Sequence, residues 1–230
     1  MKILAVQSKM GIGDTVIFLP FIKALSKKFN SPISILVKEN SKANQYLHQT
    51  KYIDKILILE RDNKTNNRHG GFFGIFKLAN DLKKYKFDKI FIFNSSLRFN
   101  LVAKISGIPK IYQYPLFTKN KQHIIETPKK FLKENLHLEI NEDPEVQIDT
   151  DLISKAAQKF QIDKNTTNIL LGIGGSGPTK RIPAKTFLNV IDKISNKKKC
   201  RFFLATGKAN EEQEVLNEIL QSKFKNFCTR

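Results

Sequence analysis

Short apolar runs alternate with segments of helical period along almost the whole chain, and this alternation leaves few folds open. Residues 3–6, 33–37, 56–59, 89–93 and 110–114 read as strands with little polar alternation. Residues 15–29, a short segment near 42–48, and residues 73–85 and 97–106 read as helices between them. In the first helix Val16, Leu19, Ile22 and Leu25 recur on one face. Apolar strands separated by helices predict an α/β fold with parallel sheets covered on both faces. The polar, glycine-ended segment 63–71 is expected to be a mobile loop at the sheet's carboxyl edge.

Residues 115–148 are irregular apart from one expected helix at 128–136 and an acidic patch at 142–145. A domain boundary is expected near 149–151, where Thr150 or Asp151 can cap the next helix. The reading is therefore two domains, 1–150 and 151–230. In the second, helix 152–160, strand 169–173, helix 184–195, strand 202–205 and helix 211–223 follow in turn. Two strands bury too little for a stable doubly wound sheet, so this second sheet is expected to be incomplete.

The stretch from Asn168 to Pro183 carries the most chemistry. An apolar strand runs into Gly172, Gly174, Gly175 and Gly177, then Thr179, Lys180 and Arg181, and a helix that Pro183 can open at its first position. Glycines let backbone N–H groups close on a ligand, and the helix start and the two cations add positive charge. A phosphate or diphosphate site is the reading. The alternative is a tight turn beside two solvated basic residues. A Walker A loop is excluded, since Pro178 stands where its lysine must be.

The net charge of +19 invites a nucleic-acid partner, but 34 Lys against 6 Arg, spread along the chain, argue against one. No zinc-finger, bZIP or RNP-type signature is present. A basic surface does favour anionic partners such as membrane lipid heads or phosphorylated glycans. Cys200 and Cys228 are too few and too far apart for a disulfide framework or a zinc site, so a reducing, cytoplasmic setting is expected. No apolar run approaches the roughly 18 residues of a bilayer span, and any membrane contact is expected to be peripheral.

After the first strand, the turn Ser8-Lys-Met-Gly-Ile-Gly-Asp14 opens the first helix. Gly11 and Gly13 match the first two glycines of a dinucleotide fingerprint, but Val16 replaces the third, and the Asp14 carboxylate would repel a pyrophosphate. Asp14 is then either a helix N-cap or a base facing a crevice at the sheet's carboxyl edge.

Gly-Ile-Gly-Asp14 followed by Pro20 and Ala24-Leu25, with the later Gly174-x-x-Gly-Pro-Thr-Lys-Arg-Ile-Pro183 block, resembles the ADP-heptose:lipopolysaccharide heptosyltransferases, glycosyltransferase family 9. Arg181-Ile182 departs from the family's usual aromatic after the lysine. The resemblance implies a GT-B-like fold: an acceptor-binding Rossmann-like domain followed by a nucleotide-sugar-binding one. It implies Asp14 as general base, with Gly174, Gly175, Ser176, Thr179 and Lys180 holding the donor diphosphate without a metal or cofactor. Gly13 and Arg98 are then candidates for the acceptor side, Arg98 meeting an anionic group; a plain surface arginine is the alternative. The implied partners are a nucleotide sugar, by resemblance ADP-heptose, and a lipopolysaccharide-core-type acceptor. The implied place of work is the cytoplasmic face of the inner membrane. The family's Asp-Thr-Gly…His donor segment has no counterpart in the sequence. A C-terminally truncated chain with reduced or no activity is accordingly expected, and a non-catalytic nucleotide-binding remnant is the alternative function.

Overall fold

The computed structural model describes residues 1–8, 11–61, 67–116, 123–175 and 180–229. It divides into two compact units, Met1–Asp149 and Thr150–Arg230. In the first, β1 (Ile3–Val6), α1 (Ile12–Phe29), β2 (Ile33–Lys38), α2 (Ala43–Tyr46) and β3 (Ile53–Leu59) are followed by α3 (Phe73–Lys83), β4 (Lys89–Ile92), α4 (Leu97–Ile105), β5 (Lys110–Gln113) and α5 (Glu126–Leu136). The strands form one parallel sheet in the order β3-β2-β1-β4-β5, with Ile3 opposite Ile33 on one side and Lys89 on the other.

Both faces of this sheet are covered. Leu4, Val6, Leu36, Ile90 and Ile92 pack beneath Ile75, Leu78 and Leu82 of α3 and Phe99 and Val102 of α4. On the other face Ile3, Ala5, Ile35, Phe91 and Phe93 meet Phe18, Leu19, Ile22 and Leu25 of α1 and Phe131 and Leu132 of α5. Alternate residues thus go to opposite layers, and each layer needs apolar side chains, so the strands read as unbroken apolar runs. Pro20 sits inside α1 and is buried. Asn30 ends that helix in the left-handed conformation, φ 45° and ψ 46°, which asparagine tolerates better than most residues.

The second unit contains α6 (Thr150–Lys159), β6 (Thr167–Ile173), α7 (Ala184–Ser195), β7 (Cys200–Thr206), α8 (Asn210–Gln221) and β8 (Cys228–Thr229). Its parallel sheet has the order β6-β7-β8. The sequence reading of two strands is corrected here. Cys228 and Thr229 pair with Phe202 and Phe203, so β7 is a central strand over those residues. Thr150 and Asp151 lie inside the first turn of α6, and Pro183 is the N-cap residue of α7, one place before the position expected for it.

Among the described residues of this unit, one face of the sheet is well covered and the other is not. Ile173, Phe202 and Leu204 pack under Phe187 and Ile191 of α7 and Leu216 and Ile219 of α8. On the other face Leu170 is 71% exposed, and Phe203 meets the Phe160 ring edge-on at 6.3 Å. A cavity of about 380 Å³ runs along this face between Phe160, Ile162, Leu170 and Phe203.

Candidate functional site

Each sheet places one cluster of polar residues at its carboxyl edge. In the first unit β1 turns to β2 and β3 on one side, and the chain then crosses to β4 and β5 on the other. The crevice between the carboxyl ends of β1 and β4 is therefore the topological switch point, where open α/β sheets bind ligands. Ser8 follows β1 and Asn94 follows β4, and the Asn94 Nδ2 donates to Ser8 Oγ at 3.1 Å. Asn94 Oδ1 accepts the Ser96 N–H at 3.0 Å, while Gln113 Nε2 donates to the Asn94 and Ser96 carbonyls. These bonds tie the loop after β4 to β5 and to the loop after β1.

Asp14 lies on this edge, half-buried in the first turn of α1. It is not the N-cap. Gly11 holds that position, and Asp14 Oδ2, three residues on, accepts the Gly11 N–H at 3.0 Å. A carboxylate accepts through both oxygens, so this bond orients Asp14 and remains compatible with a proton-accepting role. Gly13 is exposed, and a Cβ there would meet no atom within 4 Å, so its backbone borders open space.

Arg98 has a definite job in the described structure. Its Nη1 donates to the Gly71 carbonyl at 2.7 Å, and Nη2 donates to the His69 carbonyl. It clamps the segment before α3, where a Cβ on Gly74 would overlap the His69 backbone. His69 is buried, and its Nδ1 accepts the Glu60 N–H at 3.1 Å, which leaves Nε2 to donate to Asp81 Oδ2 at 3.1 Å. Burial pushes the Asp81 carboxyl up, but hydrogen bonds from His69 and Lys84 and the charge and hydrogen bond of Arg68 outweigh it, and the carboxyl sits below its ordinary range. Of the segment expected to be a mobile loop, residues 67–71 are thus anchored, and residues 63–66 lie outside the described residues.

In the second unit the glycine loop leaves β6. Gly174 has φ +139°, a conformation that side-chain-bearing residues rarely adopt. A Cβ on Gly175 would lie 2.7 Å from the Lys180 carbonyl oxygen, so the Lys180 backbone lies directly over this glycine at the sheet edge. Gly172 is an ordinary strand residue with room for a side chain. Ser176, Gly177 and Thr179 lie outside the described residues.

Sequence reasoning missed Glu212. Its carboxylate, in the first turn of α8, stands over both loops at this edge, so that a Cβ at Gly174 or at Gly207 would overlap it. The neighbouring Glu211 meets Arg181 at 3.3 Å; its own backbone amide and the Arg181 charge hold its carboxyl below the usual range. The edge therefore carries a cation, Lys180, and a carboxylate, Glu212, around glycine backbone. Nothing in the local sequence links Glu212 to the loop, because the chain passes through α7 and β7 between them. Among the described residues no group of three His, Cys, Asp or Glu side chains is placed to hold a metal ion.

The family model described as glycosyltransferase family 9 (heptosyltransferase) matches residues 75–230, about two thirds of the chain. The chain belongs to glycosyltransferase family 9. No curated protein matches its sequence. Solved structures do match in fold. The E. coli ADP-heptose lps heptosyltransferase II is 16% identical, with 99% of this chain and 71% of that one covered at a TM-score of 0.70. A family 9 glycosyl transferase from Veillonella parvula DSM 2008 is 18% identical over 96% of this chain and 67% of that one, at 0.75. The E. coli heptosyltransferase WaaC, solved with ADP-2-deoxy-2-fluoro heptose, is 13% identical over 99% and 75%, at 0.65. At these identities the likeness fixes the fold. The family 9 chain is a GT-B-like α/β protein with two parallel sheets, and none of its described helices is long and apolar enough to cross a membrane.

Proposed function

We propose that this family 9 chain transfers a heptose, or a related sugar, from ADP-heptose to a lipopolysaccharide-core-type acceptor with inversion. The first unit takes the acceptor and the second takes the nucleotide sugar. The acceptor hydroxyl oxygen attacks the anomeric carbon, and the bond from that carbon to the diphosphate oxygen breaks with its electron pair leaving on the nucleotide. Asp14 accepts the hydroxyl proton, and its bond from Gly11 holds it in place for this. A single displacement of this kind inverts the anomeric centre.

The observation that carries the reading is the edge of the second sheet. Glycine backbone at 174 and 175 with Lys180 beside it matches the needs of a diphosphate, and the Glu212 carboxylate at Gly174 and Gly207 marks the part of the edge that repels phosphate and suits a ribose. Lys180 would stabilise charge developing on the leaving diphosphate, which is electrostatic stabilisation of the transition state. Glu212 supplies acceptor oxygens for ribose hydroxyls, as an acidic residue does in other open α/β nucleotide sites. The family resemblance adds Ser176 and Thr179 to the diphosphate contacts and Gly13 to the acceptor side. Arg98 is assigned instead to holding residues 69–71. We place the enzyme at the cytoplasmic face of the inner membrane, where such an acceptor would be presented.

The test is sugar transfer by the purified chain from ADP-heptose to a heptose-deficient lipopolysaccharide core, with the anomeric configuration of the product determined by NMR. An inverted glycoside and released ADP are expected. A retained configuration would remove the single-displacement mechanism. ADP binding without any transfer would favour the non-catalytic nucleotide-binding reading, for which the thin cover on the Leu170 face of the second sheet speaks.

A further inference from the structure

The outward surface of α3 and α4 carries an apolar group that none of the described residues of the first unit covers. Phe72 is 69% exposed, Phe73 77% and Phe76 49%, large values for side chains that are usually buried. They pack edge-on against one another, with Phe72 6.0 Å from Phe73 and 5.6 Å from Phe76, rather than into the core below. Leu97, Leu101 and Ile105 are exposed along one face of α4. The two helices lie side by side, joined at one end by Arg98 to Gly71 and further along by Ser106 Oγ to the Ala79 carbonyl at 3.1 Å. Their outward faces therefore form one continuous surface, aromatic on α3 and aliphatic on α4. An uncovered group of this kind marks an interaction site.

The charge on this surface has one sign. Lys77 follows Phe76, and Lys104 lies beside Leu101 and Ile105, both exposed. The acid on α3, Asp81, is engaged by His69, Arg68 and Lys84. Residues 89–125, which include all of α4, contain no acidic residue. A second copy of the chain would set lysine against lysine in a protein of net charge +19, which disfavours self-pairing here. Protruding aromatic and aliphatic side chains with cations beside them and no free acid are instead the composition of an interfacial lipid-binding face.

We propose that the outward faces of α3 and α4 seat this chain on an anionic phospholipid bilayer. Phe72, Phe73 and Phe76 enter the boundary between headgroups and acyl chains, while Lys77 and Lys104 lie against the phosphates. This names the surface for the peripheral attachment proposed above and rests on that reading. No transmembrane segment is needed.

The test is co-sedimentation of the whole chain with vesicles of phosphatidylcholine containing about one third phosphatidylglycerol, compared with pure phosphatidylcholine. Wild type should bind the anionic vesicles. Phe72→Ser, Phe73→Ser and Phe76→Ser together should lower partitioning by about tenfold or more. Lys77→Gln and Lys104→Gln should each lower it by about fivefold, on anionic vesicles only. Lys130→Gln makes the same change of charge on α5, which packs on the other face of the sheet, and should have far less effect. All these side chains are exposed, and an unchanged melting curve will establish that each variant is folded. Equal loss in the α5 control, or full binding by the triple Phe variant, would overturn this surface and leave the attachment itself standing. Failure of wild type to bind would sink both. A wild-type dimer that the Phe changes dissociate, with no vesicle binding, would assign the face to a second copy and overturn the proposal.

Discussion

The two sheets are built from similar strands and end up differently buried. The strands β1 and β6 are both apolar, yet every residue of Ile3–Val6 is buried, while β6 alternates between partly covered and exposed positions until Ile173. The first sheet has helices on both faces, and the second has α7 and α8 on one face, with Leu170 and the cavity beside Phe160 on the other. An apolar run thus reports that a strand is able to be buried on both sides. Whether it is buried depends on what packs against it.

The chemistry proposed for the two units differs as well, and the largest expected effect lies there. Asp14→Asn should lower turnover by about 10²–10⁴ while leaving ADP affinity unchanged, because the proposed base lies in the first unit and the proposed nucleotide site in the second. A variant with wild-type turnover and a lowered melting temperature would reduce Asp14 to its bond with Gly11. The packing contrast comes next. Phe91 is fully buried and stacks on Tyr112 at 4.6 Å, so Phe91→Ala should cost about 3–5 kcal/mol. Leu170→Ala, on the open face, should change stability by no more than about 0.5 kcal/mol in chemical denaturation. Similar losses at both positions would mean that the second sheet is covered in solution.

Lys180→Ala should weaken ADP binding by about 1.5–3 kcal/mol in calorimetry, the range for a hydrogen bond to a charged group, without altering the melting of the first unit. Unchanged affinity would move the diphosphate elsewhere. The smallest effect concerns Asp81, whose carboxyl is held below its ordinary range in the folded state. A depressed carboxyl contributes stability that is fully present above the unfolded value of about 3.9 and is lost as pH falls through the lower folded value. Wild type should therefore lose melting temperature more steeply than Asp81→Asn below about pH 4. Parallel acid profiles would show that the His69–Asp81 contact adds nothing net.

Much of the fold was legible because strands in a doubly covered sheet are unbroken apolar runs and the helices between them bury one face. The misses have local causes. The strand Cys228–Thr229 is two residues long and is recognisable only through its pairing with Phe202 and Phe203. α1 begins at Ile12, three residues before the expected start, because its cap is Gly11 backbone with Asp14 reaching back, a geometry the residue type alone does not distinguish from an Asp N-cap. At the candidate sites, Gly174, Gly175 and Lys180 stood out by chemistry and spacing, and the fold places them together at one sheet edge. Arg98 looked the same in sequence whether its fork met a ligand or the carbonyls of His69 and Gly71. Glu212 and Asn94 reach their sites only through the folded sheets, and no local pattern marks them.

The central claim is that the nucleotide is held at the carboxyl edge of the second sheet and not at the first. Backbone amide NMR of the chain titrated with ADP tests it most directly. Saturable shifts at Gly174, Gly175, Lys180, Gly207 and Glu212, with Gly11, Gly13 and Asp14 unmoved, are the predicted result. Shifts centred on Gly11–Asp14, with the second edge silent, would contradict the account.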